Sequence, residues 1–194
     1  MKLLYTKRSP FARKVRVIAL EKSIPLEFID EDLQNKSQRL LEANPLGKVP
    51  TLVLEDGTTV YDSSVIGQYL DTLNEKAVII PQSFLERIEV LKWEAFADDL
   101  MVAAINLYME KVRHPQDFHK DFTTALEKNI LLAYDYIENN LSKLKDFNLA
   151  SISVASAIGY IHFRLPHLKV QGAVAQWFVQ ISNRPSMAQT VPVI

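Results

Sequence analysis

The sequence contains no cysteine among its 194 residues. That absence excludes a disulfide scaffold, a cysteine-ligated zinc site, an iron–sulfur cluster and chemistry by a thiol of the protein itself. Glycine is scarce, with 5 residues, and there is neither a glycine-rich phosphate loop nor a Gly-x-Ser-x-Gly elbow. Charge of one sign is not in excess either, since 22 basic and 23 acidic residues give a net charge of −1. Because nucleic-acid binders usually carry a basic excess, we expect no nucleic-acid partner.

The sequence also lacks a long hydrophobic run. The first residues turn basic after Tyr5 and do not form the apolar core of a signal peptide. The longest uncharged stretch, 147–163, is too short to span a bilayer comfortably and contains an asparagine and three serines. We interpret it as a buried core helix, and we expect a soluble, cytoplasmic protein with no membrane partner.

The pattern of apolar residues changes near residue 80. Before it, short apolar runs alternate with helical patterns, and after it nearly every pattern is helical. The predicted strands are 2–5, 26–29, 51–54 and 58–60, and the predicted helices between them are about 9–22, 38–43 and 62–74. A helix joins the first two strands, so they should be parallel, whereas the Asp56-Gly57 turn predicts an antiparallel hairpin.

This β-α-β-α-β-β-α order is thioredoxin-like. We therefore predict an α/β domain at 1–75, a linker at about 76–83 and an all-helical domain at 84–194. The helices of the second domain should span about 84–112, 119–141, 148–163 and 171–183. The fold class is thus α/β followed by an all-α bundle.

Three short motifs in the first domain could carry chemistry. Ser9-Pro10 opens a helix directly after the first strand, so it either only caps that helix or helps to bind an anion or thiolate. Val49-Pro50 stands just before the third strand, where base rates favour a trans bond but a cis bond would turn the Val49 backbone outward. Asp62-Ser63 opens another helix and either caps it or holds a carboxylate.

Basic residues surround the Ser9 turn and leave the same two interpretations open. They form either a solvated surface or the frame of an anion site, and they are Lys7, Arg8, Arg13, Lys14 and Arg16.

In order and spacing, these motifs resemble those of the glutathione transferases. The stretches 9–22, 31–52 and 61–71 resemble the N-terminal domain of that family. The stretches 148–164 and 184–192 resemble its buried C-terminal helix and its closing segment, so the likeness covers nearly the whole chain. The resemblance is strongest to the serine-type branch. Within that branch, this chain is most similar to the tau class of plants and to similar bacterial members. A homodimer is a further implication of this resemblance.

The resemblance assigns the thiolate end of a glutathione site. Ser9 would donate a hydrogen bond to the sulfur and stabilise the thiolate without acting as a nucleophile. Phe11 would form a wall of the electrophile pocket. Tyr5 lies where other branches place a catalytic tyrosine, so it is the alternative to Ser9. The missing cysteine excludes the cysteine-type branches.

The resemblance also assigns the peptide part of glutathione. The Val49 backbone would pair with the cysteinyl unit, next to a cis Pro50. Asp62 would face the γ-glutamyl ammonium and Ser63 would donate to its carboxylate. Lys36 would approach the glycine carboxylate. The family more often has Glu where this chain has Asp62, so the reach there is one methylene shorter.

The helical domain offers fewer candidates. One core-facing stripe is predicted by the spacing of Trp93, Phe96, Leu100, Ala104 and Leu107. Tyr108 and Met101 are pocket candidates if they face the cleft between the two predicted domains. Asp98 and Asp99 are either solvated or directed at the glutathione of a partner subunit.

Asn148 can cap the buried helix, but the acid that completes the family's capping box is replaced by Ser151, which puts the stability of that helix in doubt. His162 and His167 do not have the spacing of a metal pair on one helix face, and we expect no metal.

These observations predict a glutathione transferase that joins the glutathione thiolate to a hydrophobic electrophile or reduces peroxides with glutathione. One alternative is a non-catalytic protein-binding module on the same fold. Another is an isomerase that uses glutathione as a cofactor, although that class carries Ser-Ser-x-Cys-Ser where this turn reads Lys7-Arg8-Ser9-Pro10.

Overall fold

The structure of the chain, a computed structural model, describes residues 1–193. Its strands are β1 (Lys2–Tyr5), β2 (Glu27–Asp30), β3 (Thr51–Val53) and β4 (Thr59–Val60). Its helices are α1 (Pro10–Glu21), α2 (Gln38–Ala43), α3 (Ser63–Thr72), α4 (Phe84–Arg113), α5 (Lys120–Asn139), α6 (Leu149–Arg164), α7 (Gly172–Ser182) and α8 (Pro185–Ala188). Short 3₁₀ turns lie at Leu141–Leu144 and Pro166–Leu168.

The four strands form one mixed sheet in the order β2-β1-β3-β4. β1 is parallel to β2, with Leu3 opposite Phe28, and antiparallel to β3, which is antiparallel to β4. The tight turn between β3 and β4 places Gly57 at a φ of 88°, a conformation that glycine adopts without a steric penalty. The predicted thioredoxin-like order, with its parallel pair and its hairpin, is therefore confirmed.

α1 is buried around most of its circumference, including two of its charged residues. Lys14 is 0% exposed and Arg13 is 3% exposed, so the interpretation of these two as solvated surface is wrong. The Arg13 Nη2 donates to the Met187 carbonyl at 3.2 Å, which ties α1 to α8. Burial, with a smaller contribution from the charge of Arg16, lowers the pKa of Arg13 to about 10.

α6 is the central helix of the second half, and its first thirteen residues, Leu149 to Ile161, are all buried. Asn148 does cap it, and Ser151 completes a capping box: its hydroxyl accepts from the Asn148 N–H at 3.0 Å. The doubt about this helix was therefore misplaced, because a serine hydroxyl replaces the missing acid. In the described part of the chain, no helix combines the length and apolar character needed to cross a membrane.

The segment between α3 and α4 is anchored to the first half of the chain. The Asp71 carboxylate accepts from the backbone N–H groups of Ile79 and Ile80, at 3.2 Å each. The buried Lys22 Nζ donates to Asp71 Oδ1 at 3.0 Å and to the Ala77 carbonyl at 2.9 Å. These bonds fix the path of the chain as it leaves the sheet and enters α4.

The core stripe predicted for α4 is confirmed for four of its five members. Trp93, Leu100, Ala104 and Leu107 are buried, and Phe96 is half-buried. Met101 is fully buried and belongs to the same core, so it is not part of an open pocket.

Candidate functional site

The sheet topology brings the predicted site segments to one edge. Ser9 follows the carboxyl end of β1, and Lys36 lies in the loop that follows the carboxyl end of the parallel strand β2. Val49-Pro50 precedes β3, whose start meets the end of β1 because the two strands are antiparallel. Asp62-Ser63 follows β4, which ends at that edge for the same reason. Segments that are far apart in sequence therefore meet at one end of the sheet.

Ser9 is half-buried and caps α1. Its Oγ accepts a hydrogen bond from the Ala12 N–H at 3.2 Å, and a hydroxyl that accepts still has its own proton to donate. Pro10 occupies the first position of α1, and the first turn contains no acidic residue that would neutralise the positive end of the helix dipole. The turn can thus both cap the helix and stabilise an anion.

Tyr5 is 7% exposed, and packing contacts occupy its ring. The ring lies edge-on against Phe28, with centroids 5.5 Å apart, and the Arg16 guanidinium lies 5.3 Å from its centroid. This environment holds the ring between α1 and β2. It favours Ser9 over Tyr5 as the group that meets a ligand at the sheet edge.

Asp62 and Ser63 form the start of α3. Asp62 is exposed and accepts from the Ser64 N–H at 3.1 Å, while Ser63, the first helical residue, is 2% exposed. The Val49–Pro50 peptide bond is cis, as the family resemblance implies. Val49 is half-buried, and Pro50 is buried directly before β3.

Lys36 and Phe11 lie at the periphery of this edge. Lys36 is exposed, and its Nζ donates to the Leu46 carbonyl at 3.3 Å, in the loop that leads to Val49-Pro50. Its ammonium group therefore has unused donors that a carboxylate could take. Phe11 is half-buried against the core, so part of its ring is available to a ligand.

A buried ionic cluster supports the start of α3, and the sequence interpretation missed it. Lys14 Nζ lies 2.8 Å from Glu94 Oε1 and 2.8 Å from Asp98 Oδ2. The Ser64 hydroxyl donates to Asp98 Oδ2 at 3.1 Å. The cluster joins α1, α3 and α4 immediately beside Ser63. Asp98 is therefore an ion-pair partner within the chain and is not simply solvated, whereas Asp99 is exposed.

A second cluster lies where α6 ends, and Tyr108 is its one member that the sequence analysis selected, as a pocket candidate. The Arg164 Nη1 donates to the Tyr108 hydroxyl at 3.1 Å. The Arg164 guanidinium also stacks on the Tyr108 and Phe163 rings, at 4.6 and 4.3 Å from their centroids. Tyr160, one turn earlier on α6, is 6% exposed. Burial raises the pKa of Tyr160 to about 12, and the nearby cations of Arg164 and Arg8 oppose that rise.

The arrangement at the sheet edge is suited to an elongated anionic peptide. Two helix N-termini meet there, each with free N–H groups and the positive end of a dipole. The hydroxyls of Ser9 and Ser63, the Lys36 ammonium and the Asp62 carboxylate supply side-chain groups of both signs. Such a set can hold a carboxylate, an ammonium group and a thiolate at separate points.

Comparisons with known proteins identify the family. Residues 8–73 match the model of the glutathione S-transferase N-terminal domain. The chain is 37% identical to the uncharacterized GST-like protein YibF of Escherichia coli K12, over 99% of this chain and 98% of that protein. The chain therefore belongs to the glutathione S-transferase family. Two plant relatives, each described as "Probable glutathione S-transferase", from Nicotiana tabacum and Solanum tuberosum, match over 50% and 51% of their own lengths.

Solved structures agree along the whole chain. A glutathione transferase family member from Pseudomonas fluorescens Pf-5, solved with bound glutathione, matches at 32% identity and a TM-score of 0.92, covering 100% of this chain and 99% of that one. That member was also solved with S-(propanoic acid)-glutathione. A glutathione S-transferase from Methylobacillus flagellatus KT, with glutathione bound, matches at 34% identity and a TM-score of 0.90, covering 99% of each chain.

Proposed function

We propose that the protein binds glutathione at the sheet edge and joins its thiolate to a hydrophobic electrophile in the neighbouring cleft. The observation that carries the proposal is the meeting of the α1 and α3 N-termini at one edge, with the Ser9 hydroxyl still able to donate. Glutathione bound to structural relatives of similar length supports it.

Each part of glutathione has a partner in this proposal. Ser63 and the first N–H groups of α3 hold the γ-glutamyl carboxylate, and the exposed Asp62 carboxylate faces the ammonium. The Val49 backbone pairs with the cysteinyl unit, and Lys36 reaches the glycine carboxylate. The chain's Asp62 keeps its capping bond to Ser64 N–H with one carboxylate oxygen, which leaves the other for the ammonium.

Ser9 lowers the pKa of the bound thiol in this mechanism. A free thiol has a pKa of about 8.5, and lowering it by about two units requires roughly 2.7 kcal/mol. A hydrogen bond from a hydroxyl to a thiolate contributes about 1.5–3 kcal/mol, and a helix N-terminus adds about 0.3–1 kcal/mol. The two effects together are of the required size.

The thiolate then attacks an electrophilic carbon and forms a carbon–sulfur bond. In a substitution, the leaving group departs with its bonding electrons. In an addition, the electrons of the double bond move to the neighbouring carbon, which takes a proton from water. Peroxide reduction at the same site would consume two glutathione molecules and one hydroperoxide, and would release glutathione disulfide, an alcohol and water.

Calorimetric titration with glutathione tests binding. We expect micromolar to low-millimolar affinity in the wild type and weaker binding in Ser63→Ala, which removes a donor to the carboxylate. Ser153→Ala is a matched control, because this serine is equally buried on α6 and its hydroxyl has no hydrogen-bond partner within residues 1–193. Absence of glutathione binding would reject the proposal and favour the non-catalytic protein-binding module, to be tested by partner capture.

Ser9→Ala tests the catalytic assignment. The bound glutathione thiol should have a higher pKa in this variant, measured by ultraviolet thiolate absorbance, and kcat/KM should fall about 10- to 100-fold, in line with the loss of one charge-assisted hydrogen bond. Glutathione affinity should change much less. Tyr5→Phe is the comparison: if it raises the thiol pKa and Ser9→Ala does not, Tyr5 is the thiolate stabiliser.

We also propose that the protein is a homodimer, as membership of the family implies. Large apolar side chains stand exposed along α3 and the start of α4, with Leu85 77% and Phe84 73% exposed. A second copy would cover this face, which comprises Val65, Phe84, Leu85 and Ile88. Leu85→Glu should convert the dimer to a monomer in sedimentation experiments, whereas Val179→Glu, at an exposed apolar position on α7, should not.

The domain limits of 1–75 and 84–194 and a cytoplasmic location remain proposals.

A further inference from the structure

The Arg164 cluster contains a guanidinium group with unused hydrogen-bonding capacity. Its Nη1 donates to the Tyr108 hydroxyl, and its Cζ lies over the Tyr108 and Phe163 rings. Its Nε is buried and has no hydrogen-bond partner within residues 1–193. A ligand does not reach this buried Nε in the present conformation, and the donors left for it are those of Nη2, for which no acceptor is found within residues 1–193.

Within the described chain, neither Arg164 nor Arg8 forms an ion pair. Between residues 1 and 193, no carboxylate oxygen lies within 4.0 Å of the Arg164 or Arg8 side chains. Burial raises the pKa of Tyr160, and the charges of Arg164 and Arg8 both oppose that rise. Around Arg164 the neighbouring groups are the Tyr108 phenol and the Phe163 ring, which carry no negative charge. By contrast, hydrogen bonds from Asn35 and Gln34, with a smaller contribution from the charge of Arg8, lower the pKa of the Asp32 carboxyl.

The cluster is also adjacent to the thiolate position. Arg8 is the residue directly before Ser9, in the turn between β1 and α1. One turn of α1 further, Arg13 meets α6 at Gly159, the neighbour of Tyr160, where a β-carbon would overlap the Arg13 side chain. The α6 residues just before Arg164 therefore pack beside the first turns of α1, the helix that Ser9 caps.

A purely structural role accounts for only part of this arrangement. Arg164 is the last residue of α6, and a cation there interacts favourably with the helix dipole. That role needs neither the aromatic stack that orients the guanidinium fork nor a second arginine nearby. Contact with two rings restricts the orientation of the guanidinium group, which favours binding of an anion by its remaining N–H groups.

From this geometry we infer that the electrophile carries a carboxylate or a similar anionic group, which Arg164 binds while Tyr108 and Phe163 pack against the adjoining apolar part. Arg8 contributes a second, more exposed positive charge. The inference rests on the proposed function and narrows its substrate class from apolar electrophiles to amphipathic anionic ones. For an unsaturated acid, the thiolate adds to the carbon–carbon double bond, the neighbouring carbon takes a proton from water, and the carboxylate is unchanged.

Binding of product analogues tests this inference without requiring turnover. The probes are glutathiones whose sulfur carries a straight-chain carboxylic acid of increasing length, and each acid is paired with its carboxamide. S-methylglutathione, whose sulfur carries no charged group, is the reference. Calorimetry on the wild type should find at least one acid that binds about tenfold more tightly than its amide. In Arg164→Gln the ratio of the affinity for the acid to the affinity for its amide should fall to about one. Arg164→Lys should restore part of this ratio.

Two further variants keep the test decisive. Arg8→Gln, at an exposed position, should reduce the ratio about threefold even if Arg164→Gln folds poorly. Arg113→Gln removes the same charge from an exposed position in the last turn of α4 and should leave the ratio unchanged. If S-methylglutathione binds but no acid is preferred over its amide, or if Arg113→Gln lowers the ratio as much as Arg164→Gln, the inference is overturned. If no glutathione derivative binds, the proposed function itself fails and the inference falls with it.

Discussion

Lys14 is the cation of the buried ionic cluster that joins α1, α3 and α4. It is fully buried, and its ammonium group pairs with both Glu94 and Asp98 at 2.8 Å each. Lys14→Met would leave these two carboxylates without their cation, and breaking a buried pair in this way costs about 3–5 kcal/mol. Urea unfolding should measure a loss of this size in the free energy of unfolding.

An exposed ion pair provides the control for Lys14. Lys92 lies 2.6 Å from Glu89, but its side chain is 51% exposed. Lys92→Met should therefore change the free energy of unfolding by no more than about 1 kcal/mol. If the two lysine variants lose equal stability, the cluster around Lys14 is not the desolvated network that its burial indicates.

His162 should make stability depend on pH in the mildly acidic range. Burial, with the charge of Lys169, lowers the pKa of His162, and the ring Nε2 accepts a hydrogen bond from the Val170 N–H at 3.1 Å. This bond requires the unprotonated nitrogen. Because the folded-state pKa lies below the unfolded value of about 6.5, the stabilisation is complete above that value and declines as the pH falls through it.

Urea midpoints between about pH 7.5 and 5.5 test this dependence. The midpoint of the wild type should fall more over this range than that of His162→Gln, which cannot take up the proton. His167→Gln, at an exposed position, should keep the slope of the wild type. Parallel pH profiles for the wild type and His162→Gln would contradict the assignment.

For single residues, the sequence was least informative about which charged side chains are buried. Arg13 and Lys14 could not be distinguished from solvated bases, because the groups that make their burial tolerable are far away in the sequence. Glu94 and Asp98 follow Lys14 by 80 and 84 residues. Ser9, Asp62 and Ser63 were easier to select, because a cap is a local property of the residue and the helix that follows it.

At the scale of elements, the capping box of α6 is a separable source of stability. Asn148 Oδ1 accepts from the Ala150 N–H at 3.0 Å, and the Ser151 Oγ accepts from the Asn148 N–H. Asn148→Ala should lower the free energy of unfolding by about 1 kcal/mol. Ser83→Ala is the matched comparison, because Ser83 caps α4 without a side-chain hydrogen bond and should cost less than about 0.5 kcal/mol. Equal losses would mean that the box adds nothing.

Most elements could be predicted because their boundaries are set by local chemistry. The helix at Gln38–Ala43 was predicted with its observed bounds, since Ser37 caps its start and Asn44-Pro45 ends it. The second strand was predicted one residue too early. Its first paired residue is Glu27, opposite Lys2, and pairing with β1 is a tertiary property that the sequence pattern does not encode.

For the whole molecule, we expect the first half of the chain to depend on the second. α1 packs on α3 within the first half, and on α6 and α8 from the second half, through contacts such as that between Arg13 and Met187. A fragment of residues 1–83 would expose that second face of α1, and domains this small bury little surface to begin with. The fragment should show no cooperative thermal transition by circular dichroism, whereas the full chain should show one. A fragment that melts cooperatively would contradict this expectation.

The location of the candidate site could be predicted from topology, but the Arg164 cluster could not. Once the strand order is known, Ser9, Val49-Pro50 and Asp62-Ser63 must meet at one sheet edge. The approach of Arg164 to Tyr108 depends instead on how α4 and α6 cross. That crossing is set by the packing of two helices separated by more than thirty residues of chain.

The central position of α6 also has a consequence for synthesis on the ribosome. The sheet, α1 and α3 are complete when the first 72 residues have emerged, but the helix that covers α1 ends only at Arg164. At roughly 5–20 residues per second, the apolar face of α1 waits roughly 5–20 seconds for its cover. During that interval the nascent chain presents a surface that a chaperone at the tunnel exit can bind.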